Sequence, residues 1–393
     1  MFDNFFEEPD GLSEYDEMHR DILTNLQSLK SMSVEEHTFY KKWQEVQTYI
    51  NFVNKSGITK ARIWKPSDIN DKENTIKEIE ALEPEIVFVD VDNKTMMEDW
   101  LMIRVFCHTM PFDQTPGRFL RFLVRDKISE KYLGATSVSS DVISITDRDK
   151  YIGWTKEDKL DNGLLNNSAI GSCIMATQPF GYNFLGSKLV ASLVVSNVVR
   201  DKWKELYDNT LVGMTTTSLY GTKSFYNGVP YWRKCGASAG KISIKPDERL
   251  YAWWHDFVRN QYPADYKKKM TQKEGVSGPV TGAKQRVIDM IFRHLKIKAS
   301  NYTHGYLRGV YYSSFYENSL NFFNGKISED ELIEKKKHSD DQLMIDWWRE
   351  KAIKRYSKLH DEGNLLPEVT YYNKMIHENY KTGKDMFFKN VGR

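Results

Sequence analysis

Cysteine, long apolar runs and strong net charge are all scarce in this sequence, and each shortage removes a class of protein. Its 393 residues hold only Cys107, Cys173 and Cys235, widely spaced. Such a set supports neither a disulfide framework nor a CxxC zinc knuckle. The longest apolar stretch, around residues 189–199, falls well short of the roughly 20 residues of a membrane-spanning helix. The opening MFDNFFEEPDG is acidic ahead of its apolar residues, unlike a secretory leader. The 9 histidines show no HExxH or other paired spacing for a metal. The expectation is a soluble protein of the reducing cytoplasm, without a membrane partner or a metal motif.

What is present fits an ordinary globular chain, with 28% charged and 40% hydrophobic residues. Aromatics reach 13%, a supply that suits cores, interfaces and base stacking. The net charge of +2 conceals a strong asymmetry. Residues 1–100 carry 11 Lys/Arg against 22 Asp/Glu, whereas residues 223–311 carry 17 against 6. A basic segment of that strength points to a polyanion, unless the acidic part folds back over it.

Periodicity divides the chain into an acidic, mainly helical part (1–110), an α/β core (111–250) and a charged helical extension (251–393). Leu23, Leu26 and Leu29, then Trp43, Val46 and Ile50, predict helices within 12–54, with Ser33 and Glu36 as a capping box. A helix at 74–82, a strand at 85–91 and a helix at 94–107 follow. Alternation over 119–124 and 132–139 predicts a β-hairpin. A strand at 168–177 then enters TQPFGYNFLGSKLVASLVV (177–195). A helix at 189–205, a strand at 211–218, an aromatic Gly-rich segment at 220–234 and a strand at 241–245 complete the core. Beyond 246 the expectation is helices and loops.

The turn in TQPFGYNFLGSKL poses the chemical question. Glycines admit an anion to the backbone, and a helix start offers free N–H groups. Gly181 and Gly186, with Ser187 and Lys188, suit that purpose, or else serve tight strand–helix packing. The pattern is neither GxGxxG nor GxxxxGK[ST]. Arg233, Lys234, Lys241, Lys245, Lys267, Lys268, Lys269 and Arg308, interleaved with Tyr226, Tyr231, Trp232, Trp253 and Trp254, suit a nucleic-acid groove.

The order hairpin, strand, Gly-turn, helix, strand, aromatic segment, strand resembles the GNAT acyltransferases. That resemblance implies a mixed central sheet and a donor, acyl-coenzyme A or a related molecule, at the turn. Gln178, Gly181, Asn183, Leu185, Gly186, Ser187 and Lys188 would hold it. The family's [RQ]xxGx[GA] pattern is met imperfectly, since Phe184 or Asn183 falls where glycine is usual. Ser218, Tyr220, Tyr226 and Tyr231 match in type the late hydroxyl that can protonate a leaving thiolate in that family, and Asp141 is a candidate base or a turn cap. More narrowly, residues 118–250, with HGYLRGVYYSSFYEN (304–318), resemble the Mom-like and DruA-like proteins of phages and anti-phage defence. This implies a transferase acting on an exocyclic amine of DNA. The competing expectations are a non-catalytic nucleic-acid-binding protein and a homo-oligomeric assembly protein joined through the oppositely charged segments.

Overall fold

The structure is a computed structural model that describes residues 13–34, 36–38, 40–42, 45, 62–108, 110, 117–218, 224–271, 283–338 and 340–366. Among them, seven strands form one sheet in the order β1-β2-β3-β4-β5-β7-β6. The strands are β1 (Pro84–Phe88), β2 (Phe119–Asp126), β3 (Tyr132–Ser140), β4 (Ser168–Ala176), β5 (Gly213–Ser218), β6 (Arg233–Ser243) and β7 (Thr303–Ser314). The expected mixed α/β sheet is present.

β1 to β4 are joined antiparallel, and β4 then pairs parallel with β5. The β2–β3 hairpin turns at Asp126, whose carboxylate accepts from the Ser129 backbone at 2.8 Å and from its hydroxyl at 2.7 Å. A parallel pair needs a crossover, and here, after the short helix Phe180–Asn183, it runs through α7 (Gly186–Leu193) and α8 (Asn197–Tyr207). The single helix expected over 189–205 is therefore two. The chain tightens between them, with Val195 N–H on the Ser192 carbonyl at 3.2 Å and Ser196 N–H on that of Leu193 at 3.1 Å.

β7 was not expected as a strand. It lies antiparallel to β5, from Gly213 opposite Ser314 to Ser218 opposite Gly309, and separates β5 from β6. The long connection from β6 to β7 holds α9 (Glu248–Gln261), α10 (Pro263–Met270) and α11 (Ala283–His294). The capping box at Ser33 and Glu36 is formed, with bonds of 3.1 and 2.7 Å.

The chain forms two compact units. One comprises residues 1–37 and 240–306, where α1 (Glu14–Lys30) buries the stripe Met18, Ile22, Leu26 and Leu29. There Tyr15 donates to the His294 carbonyl at 3.1 Å, so acidic α1 and basic α11 share a unit. The other comprises residues 38–239 and 307–393. Its core is centred on α7, whose Leu189, Val190 and Leu193 are wholly buried. α7 lies close on β3, because a Cβ at Gly134 would meet Val190 at 2.6 Å. α13 (Asp341–Asp361) covers α7 with Met344 and Trp348. On the opposite face α3 (Lys94–Cys107) packs Trp100 and Ile103 over Leu123, Ala135, Cys173 and Met175. Of the remaining helices α2 is Lys72–Ala81, α4 Thr146–Ile152, α5 Lys156–Leu160, α6 Phe180–Asn183 and α12 Ser319–Phe323. No helix of the described residues is long and apolar enough to cross a membrane.

Candidate functional site

The parallel pair β4–β5 is short. Its register runs only from Ser168 opposite Gly213 to Ile170 opposite Thr215, although both strands continue. Just beyond, the Thr216 hydroxyl donates to the Gly171 carbonyl at 2.9 Å, a side-chain bond following the last ladder pair. On the β3 side β4 also loses a step, since Ser137 faces Cys173 and Val138 faces Gly171. Ser172 is the extra, bulged residue, and it is exposed between buried neighbours. Bulges and strand switches of this kind re-aim side chains and open sheets where ligands bind.

Tyr226 stands beside this divergence. Its hydroxyl is 3.3 Å from that of Thr216, and its ring packs on Trp232 at 5.4 Å and Tyr311 at 5.1 Å. Burial pushes its pKa far above the usual phenol value, so the proton stays on oxygen. The Tyr226 loop is held by Tyr311, which donates to Asn227 Oδ1 at 2.7 Å, and by Lys188, whose Nζ reaches the Asn227 carbonyl at 2.5 Å. Lys188 of the turn and Tyr226 thus meet on one loop. Ser218 ends β5 and is buried, while Tyr220 lies outside the described residues.

The turn itself is densely packed. A Cβ on Gly186 would lie 2.2 Å from the Phe180 ring, and one on Gly181 would lie 2.7 Å from Gln178 Nε2. The Gln178–Pro179 bond is cis, and Gln178 Oε1 accepts from the Tyr182 N–H at 3.0 Å. Asn183 is wholly buried and bonds both ways with the Leu366 backbone, at 2.9 and 3.1 Å. Phe184 stacks on Tyr356 at 5.2 Å, and Trp348 donates to its carbonyl at 2.8 Å. Leu185 adopts φ +53°, a left-handed conformation unusual for leucine, before Ser187 and Lys188 open α7.

Asp141 lies at the closed end of β4–β5. It accepts from Arg148 at 2.6 Å, from the Val142 N–H at 2.7 Å, from Thr215 at 3.3 Å and from the Ser168 hydroxyl. Burial raises its pKa against the pull of Arg148. Arg148 also binds Asp149, whose other oxygen takes Lys159 at 2.7 Å. These bonds tie the end of β3 to the starts of β4 and β5.

Sequence reasoning missed a second buried set on the α3 side. Lys42 is fully buried and pairs with Glu45. Desolvation brings its pKa down to about 8 against the opposing pull of Glu45, with Arg104 and Cys173 also within electrostatic reach. Burial pushes the Cys173 thiol up to about 11 and the Cys107 thiol up to about 12, so neither is an activated nucleophile. Nothing in the local pattern around Lys42 marked it as internal. Among the described residues no His, Cys, Asp and Glu group is placed to hold a metal ion.

The basic candidates divide between the units. Arg233 and Lys234 are exposed on β6, with Arg233 resting 4.9 Å from the Tyr151 ring, and Arg308 is half-buried on β7. In the unit of residues 1–37 and 240–306, Lys267, Lys268 and Lys269 are exposed on the last turn of α10, and Lys245 is half-buried. Lys241 lies on the part of β6 that falls in the unit of residues 240–306, with its side chain outside the described residues.

The model of the family described as Druantia protein DruA matches residues 40–325. A relative described as Druantia protein DruA, from Escherichia coli (strain UMEA 4076-1), is 25% identical over 259 residues. That stretch is 62% of this chain and 62% of the relative, so the match spans less than two thirds of the relative's length. No solved structure matches the chain. The family match takes in the β4–β5 divergence, the turn at 177–188 and the Tyr226 loop, and the chain belongs to the Druantia DruA family.

Proposed function

We propose that this chain is the nucleic-acid-directed member of a Druantia anti-phage system, with a GNAT-like core that modifies an exocyclic amine of a DNA base. The observation carrying this reading is the opening at the C-terminal end of β4. There the parallel pair β4–β5 diverges, a bulge exposes Ser172, and Tyr226 abuts the gap. The helical crossover between β4 and β5, and β7 lying between β5 and β6, support the same reading. Tyr226, with its proton firmly held, suits donation of a hydrogen bond to developing negative charge rather than service as a base.

The turn fits a coenzyme A pyrophosphate poorly. The open side of Gly186 faces Phe180, Asn183 is engaged by Leu366, and Lys188 by Asn227. The same three engagements favour a second reading, a DruA-type nucleic-acid-binding protein that keeps the fold without the transfer. Mass spectrometry of nucleosides from DNA of cells expressing the chain separates the two. A new nucleoside mass that disappears in Tyr226→Phe supports the transferase. Unmodified nucleosides, with salt-sensitive DNA binding and no acyl-coenzyme A binding by calorimetry, support the second reading.

A further inference from the structure

The α3 side of the sheet carries a row of polar groups that the proposed chemistry does not use. Arg121 of β2 lies opposite Ser137 of β3, and Phe119 lies opposite Ser139. Paired residues share a face, so Arg121, Ser137 and Ser139 project together. The bulge of β4 adds Ser172, whose hydroxyl is 2.9 Å from that of Ser137. The Arg121 guanidinium rests 4.6 Å from the centre of the Phe119 ring and 5.3 Å from that of Trp100, so it leans towards the Phe119–Ser139 pair.

Two features of this row call for a ligand. Arg121 has no carboxylate partner among the described residues, and burial lowers its pKa, with Tyr207 opposing. Ser139 is fully buried, yet its hydroxyl has no hydrogen-bond partner among the described residues. A hydroxyl left so is costly, and such groups occur where something else completes them. The nearest carboxylate along β3, Asp141, is already matched by Arg148 at 2.6 Å. Exposed Ser172 gives access to the row from solvent.

We propose that Arg121, Ser137, Ser139 and Ser172 form a binding site for a phosphoryl group. A planar guanidinium fixed on aromatic rings, with hydroxyl donors beside it, matches the several oxygens of a phosphate. The inference rests on the nucleic-acid reading only for the source of that group, a strand phosphodiester as opposed to a free nucleotide or free phosphate.

The test uses the full chain with three probes: a single-stranded oligodeoxynucleotide, deoxyadenosine monophosphate and inorganic phosphate. Arg121→Gln is expected to weaken binding by about tenfold or more, the worth of a charged hydrogen bond. Ser139→Ala is expected to weaken it while the melting temperature holds or rises, because an unpartnered hydroxyl has been removed. Arg121→Lys, which keeps the charge and loses the fork, replaces the glutamine variant should that one not fold, and is expected to weaken binding severalfold. Wild-type oligonucleotide affinity in these variants overturns the site and leaves the nucleic-acid reading standing. Arg121-dependent binding of the monophosphate or of phosphate, with none of the oligonucleotide, supports the site and overturns that reading. Failure of wild type to bind any probe overturns both.

Discussion

A glycine can be demanded by a ligand or by a neighbouring side chain, and at Gly186 the neighbour is visible. With 2.2 Å between a Cβ and the Phe180 ring, Gly186→Ala is an overpacking change in a closed core. It is expected to cost about 1–3 kcal/mol, read as a lower denaturation midpoint at unchanged slope. A glycine kept for an anion would instead lose binding with its midpoint intact. The sequence shows a glycine in a strand-to-helix turn in either case, because the atom that excludes a side chain belongs to a residue outside the motif's logic. Lys42 was illegible for a related reason: its burial comes from tertiary neighbours. Since its folded pKa lies near 8 and the ordinary value is 10.5, the unfolded chain holds the proton to higher pH. Stability contributed by this site is therefore present above 10.5 and lost as pH falls towards 8. The difference in unfolding free energy between wild type and Lys42→Met should shift in wild type's favour as pH rises through that window. Urea titrations at several pH values check it.

At the scale of elements, legibility followed locality. The β2–β3 hairpin and strands β4 and β5 were readable because alternation and turn residues lie within a few positions of each other. β7 was not, since its partner β5 is far away in sequence and THGYLRGVYYSS carries no turn that names it. The break between α7 and α8 was equally hidden in a continuous apolar run. That break is fastened by His338, whose Nδ1 is 2.8 Å from the Val195 carbonyl just before α8. Burial lowers the His338 pKa to about 4 against this bond, with Lys335 and Lys337 nearby adding to the drop. The unfolded chain then takes up the proton first, so stability present above pH 6.5 is lost as pH falls towards 4. His338→Gln, which can still donate to Val195, should melt with a shallower acid dependence than wild type. Thermal melts across that window measure the difference.

For the molecule as a whole, the charge contrast in the sequence has two possible uses, and the fold distributes them. Acidic α1 shares a unit with basic α10 and α11, so both signs of the contrast occur within that unit. The exposed lysines 267–269 nevertheless end α10 with positive charge and no ion pair among the described residues. Arg233 and Lys234, also exposed, belong to the other unit, with Arg233 lying over Tyr151. Removing one phosphate-binding cation should reduce the slope of log affinity against log salt by about 0.7 on single strands and 0.9 on duplex DNA. Reversing Lys267, Lys268 and Lys269 to Glu should therefore flatten the salt dependence by the equivalent of about two to three phosphates. Reversal of Arg233 and Lys234 should flatten it less, because an arginine resting on a ring is partly committed already. Anisotropy titrations between about 50 and 200 mM salt measure both slopes. A slope unchanged by the α10 reversal would remove Lys267, Lys268 and Lys269 from nucleic-acid binding. Holding the strand would then fall to the other basic candidates, Arg121 of the sheet among them.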